Sequence, residues 1–220
     1  MKSDNRWLRG ARFSADTNDF SEEIAFNDHK IVFVLKHCRD KDVLDLGCVQ
    51  HNPENYKSRF WLHKALKSVA RSLEGIDLYE PGVSYLNSIG FNVSLGDAQA
   101  INKDRKYDVI VAGDLIEHLE DFSGFFESCK KHLKQNGKLI ISTPNPWYWR
   151  NIVKALLFSR VSNNPEHTTW FCPVTLEQLA ARHDLKIVDI EFGSRYLRDR
   201  LLPLPRGIKH TSFHSVLRVV

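Results

Sequence analysis

The sequence predicts an α/β fold in which a doubly wound, mostly parallel sheet is covered by helices on both faces. Three observations predict it. Short apolar runs recur along the chain and alternate with segments of helical periodicity, the pattern that builds parallel sheets. The first run ends in Asp45-Leu46-Gly47, an acid-x-Gly turn where absent side-chain bulk lets a ligand approach the backbone. The second ends in Gly75-Ile76-Asp77, which sets a carboxylate at a strand terminus, where it can accept hydrogen bonds from two ribose hydroxyls.

The elements follow in order. Residues 1–20 are polar and aperiodic and read equally as an arm that orders against the body and as a frayed terminus. Ile24, Ile31, Val32 and Leu35 fall on helical spacing, so a helix precedes the first strand. Strands are expected at 42–46, 72–77, 92–95, 107–112, 138–142 and 185–192, each short and apolar, as in a sheet buried on both faces. Helical patterns run from Leu62 to Arg71, from Pro81 to Ser88 with Pro81 in the first turn, and from Phe122 to Leu133 with Gly137 just past the end. The extended segment from Phe213 to Val220 reads as a last strand, antiparallel beside the others.

A chain of 220 residues suits one domain, 1–220, with a full core. Its 31 basic and 27 acidic residues leave a net charge of +4, which argues against a surface given over to nucleic acid. The C-terminal end is locally positive: Arg195, Arg198, Arg200, Arg206, Lys209 and Arg218 face a single acid, Asp199. Cys38, Cys48, Cys129 and Cys172 are scattered without paired spacing, which fits reduced thiols and argues against a disulfide framework or a zinc knuckle. Asp4, Arg6, Arg9 and Arg12 interrupt any signal-peptide core, and no stretch approaches the ~20 apolar residues of a membrane span. A cytoplasmic protein is expected.

The run Val43-Leu44-Asp45-Leu46-Gly47-Cys48, then Gly96-Asp97-Ala98, Tyr107 to Asp114, Glu117-His118-Leu119 and Leu133 to Asn145 resembles, in that order, the class I S-adenosylmethionine (SAM)-dependent methyltransferases. The resemblance covers roughly residues 25–192. It departs from the family pattern at Val49, Gln50 and His51, where that pattern reads Gly-x-Gly. A dinucleotide site fits less well, because a pyrophosphate at a helix N-terminus needs those glycines more than phosphate-free SAM does. The resemblance implies a seven-stranded Rossmann-like sheet with its last strand antiparallel. It also implies a SAM site formed by Asp45, Gly47, Cys48, Asp77, Leu78, Asp97, Ala98 and Asp114, with Asp97 on the adenine amino group and the Ala98 amide on a ring nitrogen.

Asp114, Glu117 and His118 are spaced i, i+3, i+4 and share one face if the chain turns helical after the fourth strand. His118 is then a candidate base for an acceptor hydroxyl, with Glu117 beside it. Alternatively Asp114, Glu117, His118 and the later His167 hold Mg²⁺ or another divalent cation that lowers the acceptor's pKa. Such an arrangement resembles metal-dependent ubiquinone-pathway O-methyltransferases and small-RNA terminal-ribose methyltransferases. A third reading leaves these residues lining the pocket and orienting its loop.

Residues 144–172 and 195–212 are expected to form substrate-side insertions. Trp147, Tyr148 and Trp149 are pocket candidates. The apolar run Ile152 to Phe158 reads first as a helix packed on the core or at a subunit interface, and otherwise as a membrane-surface or acceptor-binding segment. The arginines of the second insertion suit a phosphate or carboxylate. The expected function is O-methylation of a small-molecule or glycan-like acceptor. The alternatives are an RNA terminal-ribose methyltransferase using a divalent metal, and a catalytically degenerate binding module.

Overall fold

The computed structural model describes residues 28–50, 52–159, 164–194, 199 and 201–220. The expected arm at 1–20, Ile24, His51, Arg195, Arg198 and Arg200 lie outside the described residues. Asp42–Leu46 (β1), Ser72–Asp77 (β2), Val93–Leu95 (β3), Tyr107–Gly113 (β4), Leu133–Pro144 (β5), Leu185–Gly193 (β6) and Ser212–Val219 (β7) form one sheet in the order β3-β2-β1-β4-β5-β7-β6. The first five strands pair in parallel. β7 runs antiparallel to both β5 and β6, so β6 points the same way as the rest. The central strands β1 and β4 are mostly apolar and buried on both faces, with Asp45 the buried acid of β1.

One face is covered by α1 (His29–Cys38) and α2 (Leu62–Lys67), whose Ile31, Val34, Leu62 and Leu66 pack on Val43, Val109, Val111 and Ile140. The other is covered by α4 (Phe122–His132) and α6 (Pro173–Ala181), which bring Phe125, Phe126 and Leu176 onto Leu44, Ile110 and Ile141. α3 (Glu80–Ser88) closes a smaller apolar cluster with Cys48, Val49 and Trp61. Asp28 and Asp121 cap α1 and α4 by accepting backbone N–H bonds from their first turns.

Two helix C-termini and the packing of a third helix differ from the sequence expectation. α2 stops at Lys67 instead of Arg71, because the chain must turn to bring the Arg71 guanidinium onto Asp42 and Asp108 at 2.6 and 2.9 Å. α4 stops at His132, and β5 begins at once with Leu133 paired to Tyr107. Gly137 is therefore no helix cap: the left-handed residue is Asn136 (φ 65°), and a Cβ on Gly137 would meet the Lys134 carbonyl at 2.9 Å. The third difference is α5 (Trp149–Phe158), which buries none of its residues and leaves Leu156 81% exposed. Its apolar side chains do not pack into the core.

Candidate functional site

The carboxyl ends of β1, β2, β4 and β5 open on one edge of the sheet, where ligands bind in open α/β folds. After β1 the chain turns through Gly47 (φ 71°), whose N–H donates to the Ile76 carbonyl at 2.8 Å. A Cβ there would stand 3.0 Å from Leu115 in an unfavourable left-handed conformation. Cys48 and Val49 then turn inward and are buried. The Trp61 indole N–H donates to the Cys48 carbonyl at 2.7 Å, and burial, reinforced by the Asp45 and Asp77 carboxylates, pushes the Cys48 thiol far up.

Val49 stands where the family pattern has glycine, yet its bulk does not face the ligand side. Its side chain is 1% exposed and lies over Gly82 of α3, where a Cβ would come within 2.3 Å of Val49 Cγ1. The glycine missing from the loop is matched by a glycine in the facing helix. The Val49 N–H donates to Asp77 Oδ2 at 2.8 Å and the Tyr79 N–H to Oδ1 at 2.9 Å. Asp77 thus fixes the loop while each oxygen keeps acceptor capacity for a hydroxyl.

Beside it Leu78 is 67% exposed, and Leu95, opposite Asp77 in the β2–β3 register, is 54% exposed. Asp97 accepts from the Gln99 N–H at 2.8 Å, with Ala98 buried next to it. Half-buried carboxylates with acceptor capacity to spare, flanking an apolar shelf, fit a nucleoside: the carboxylates for ribose and amino group, the leucines for the base. Asp45 lies apart from this set. It is buried and bonds His63 Nδ1 at 2.9 Å behind the loop, where a Cβ on Gly75 would crowd both Cys48 and His63.

The second cluster lies beyond β4. Asp114 is left-handed (φ 53°), and Ile116–His118 form a 3₁₀ turn instead of an α-helix. Asp114, Glu117 and His118 consequently do not share a helical face. Asp114 accepts from Lys30 Nζ at 2.7 Å and from the Ser142 hydroxyl at 3.0 Å. Desolvation raises its pKa, but the Lys30 ammonium outweighs that and holds the carboxyl at about 2.

Glu117 is 2% exposed; its Oε2 accepts from the Thr143 hydroxyl at 3.0 Å, while the buried Oε1 has no hydrogen-bond partner among the described residues. Burial, then the Asp114 carboxylate, pushes Glu117 up to about 8. The loop carrying His167 is hooked onto this turn by N–H bonds from Thr168 and Thr169 to the Glu117 carbonyl at 3.0 and 3.3 Å. His118 and His167 meet edge to face at 4.7 Å, and burial lowers the His167 pKa. The ligand atoms of Glu117, His118 and His167 all lie within 4.8 Å of one another. The structure brings together three of the four candidate metal ligands and leaves Asp114 with Lys30.

Sequence reasoning missed Lys30, His63, Ser142, Thr143 and His214. Ser142 and Thr143 carried a signal, two hydroxyls ending an apolar strand. His214 lies opposite Ser142 on β7, where burial lowers its pKa to about 4; nothing in its local sequence marks it. Among the described residues no helix is long and apolar enough to cross a membrane.

Comparison with known proteins agrees with this geometry. A family model described as a methyltransferase domain matches residues 20–190. A probable SAM-dependent methyltransferase of Mycobacterium tuberculosis is 30% identical over 129 residues, 56% of this chain and 44% of the relative. The matched region thus spans less than half of that protein's length. A ubiquinone biosynthesis O-methyltransferase of Paraburkholderia phytofirmans is 26% identical over 173 residues, covering 70% of this chain and 68% of the relative. Among solved structures, the CcbJ methyltransferase of Streptomyces caelestis superposes with a TM-score of 0.62 at 14% identity over 87% of this chain and 88% of its own. A SAM-dependent methyltransferase of Archaeoglobus fulgidus does so with a TM-score of 0.60 at 18% identity over 86% and 89%. The seven-stranded sheet with its single antiparallel strand, the Asp77-anchored loop and a family match across most of the length lead to one conclusion: the chain belongs to the class I SAM-dependent methyltransferase family.

Proposed function

We propose that this protein transfers the methyl group of SAM to an oxygen of a small-molecule or glycan-like acceptor. The observation that carries the reading is the buried Glu117, whose Oε1 has no hydrogen-bond partner among the described residues, set beside His118 and His167. Asp77, Leu78, Asp97 and Ala98 would hold the nucleoside. Asp45 supports the loop from behind through His63. When bound, SAM supplies a methyl group already activated by its sulfonium, so the protein's work is alignment and proton handling.

The acceptor hydroxyl must lose its proton as the carbon–oxygen bond forms and the methyl's carbon–sulfur bond breaks, leaving S-adenosylhomocysteine. A neutral His118 imidazole can take that proton, with Glu117 holding the turn through Thr143. Asp114, locked to Lys30, keeps a fixed negative charge near the site. The donor set also fits a divalent cation: one carboxylate oxygen and two imidazoles suit a transition ion such as Mn²⁺ better than Mg²⁺. Such an ion would be held by Glu117, His118 and His167 and would lower the acceptor's pKa.

The test follows transfer of labelled methyl from SAM to a panel of hydroxylated acceptors, with and without chelator. His118→Ala is expected to lose about 100-fold or more in turnover, and Glu117→Gln to lose any part that depends on a cation, while both bind SAM like the wild type. Undiminished transfer in both variants would defeat the reading. Full activity in excess chelator would leave His118 as base and remove the cation. The relative named for ubiquinone biosynthesis favours oxygen as the methylated atom.

A further inference from the structure

A cleft of about 450 Å³ opens between the end of β6 and α7 (Arg206–Lys209), lined by His29, Glu191, Phe192, Arg206, Lys209 and His210. Cationic and imidazole side chains reach it from two separate parts of the chain: the start of α1 and the α7 segment. Glu191, the acid among the lining residues, is drawn toward Lys36 at 3.5 Å. Among the described residues the lining thus brings an arginine, a lysine and two imidazoles together with one carboxylate, which also faces Lys36.

The cleft is also held in shape. Asn145, 1% exposed at the exit of β5, donates through Nδ2 to the carbonyls of Gly207 at 2.7 Å and His210 at 2.9 Å, and its N–H bonds the Thr211 carbonyl at 2.9 Å. A four-residue helix with no buried side chain of its own is thereby fixed to the central sheet. The His210 ring stacks on Phe192 with 28° between planes. Gly193 lets His29 close on the strand, since a Cβ there would meet the His29 Cβ at 3.0 Å. Groups fixed on rigid elements bind with less ordering cost than mobile surface lysines.

Its location connects it to the reaction centre. β6 ends on the same edge as β1 and β4, His29 precedes the Lys30 that bonds Asp114, and Asn145 lies two residues beyond the Thr143 that bonds Glu117. We infer that this cleft is an oxyanion-binding site that takes a phosphate or carboxylate group carried by the acceptor. Its use for the acceptor rests on the proposed function; binding of the anion does not. Arg206 supplies a planar fork for paired oxygens, and Lys209 a point charge.

The test is NMR titration of the full-length protein, following the ring resonances of His29 and His210. Inorganic phosphate and, in parallel, acetate are added against chloride at matched ionic strength. A saturable shift with phosphate or acetate, weakened at least fivefold in Arg206→Gln/Lys209→Gln with SAM affinity unchanged, is the expected result. Whichever anion saturates the site assigns the acceptor group as phosphate or carboxylate. Shifts that chloride reproduces, that never saturate, or that persist unchanged in the double variant would overturn the inference. A protein that binds phosphate here but not SAM would defeat the proposed function alone; one that binds SAM but not the anions would defeat this site alone.

Discussion

Gly82→Ala probes how the chain manages without glycine at position 49. The new Cβ would lie 2.3 Å from Val49 Cγ1 and 2.7 Å from Tyr79 Cδ1, both well inside the roughly 3.5–4.0 Å of a good carbon–carbon contact, the first by more than 1 Å. Overpacking of this kind costs about 1–3 kcal/mol, offset by up to ~1 kcal/mol of helix propensity. The net loss of stability is therefore only about 0–2 kcal/mol. The sharper signal is coupling. Val49→Ala alone removes two buried methyl groups at about 0.8 kcal/mol each, whereas in the Gly82→Ala background the same change relieves the clash.

Urea unfolding of the four proteins should give a coupling energy of about 1–3 kcal/mol. SAM calorimetry should follow it. Displacing Val49 disturbs its 2.8 Å N–H bond to the Asp77 carboxylate, and a hydrogen bond to a charged group is worth about 1.5–3 kcal/mol, so Gly82→Ala should weaken SAM binding about tenfold or more, with Val49→Ala restoring most of it. Effects that add to within ~0.5 kcal/mol, together with unchanged SAM affinity in Gly82→Ala, would refute the reasoning.

Two further outcomes follow from the buried acids. Glu117 is raised to about 8 from the usual 4.5, so between those values the folded chain keeps a proton that the unfolded chain releases. Stability of the metal-free protein should then fall as pH rises through that window, by at most about 1.4 kcal/mol per pH unit, and level off above 8. Thermal or urea unfolding of Glu117→Gln from pH 5 to 8 should lack that slope. His63→Ala strands the buried Asp45 carboxylate and should cost about 3–5 kcal/mol; denaturation midpoints that match the wild type would show that the pair does not matter.

What could be read from the sequence was local. β1, β2 and β4 are short apolar runs ending in acid or glycine, and their order alone yields the sheet. Asp77 was readable because a carboxylate at a strand end is exposed by geometry. Val49 was not, because its direction depends on Gly82 in a helix that only the fold brings opposite. The same holds for Asp45, a cofactor candidate by position whose orientation is set by His63. In the second cluster the spacing of Asp114, Glu117 and His118 suggested one helical face, but a left-handed Asp114 and a 3₁₀ turn gave a different set: Glu117 and His118 with the distant His167. The α4–β5 junction was misread because Gly137 suggests a helix cap, while Leu133 is claimed by its pairing with Tyr107. α5 shows the limit of periodicity, which reports an apolar face without saying what covers it.

The central claim is that the Asp77-anchored loop forms a working SAM site despite lacking two glycines. Calorimetric titration of the folded wild type and of Asp77→Ala with SAM and its demethylated product S-adenosylhomocysteine tests it most directly. The account predicts one saturable site for both ligands in the wild type and at least tenfold weaker binding in the variant. Folded wild-type protein that binds neither ligand would contradict it.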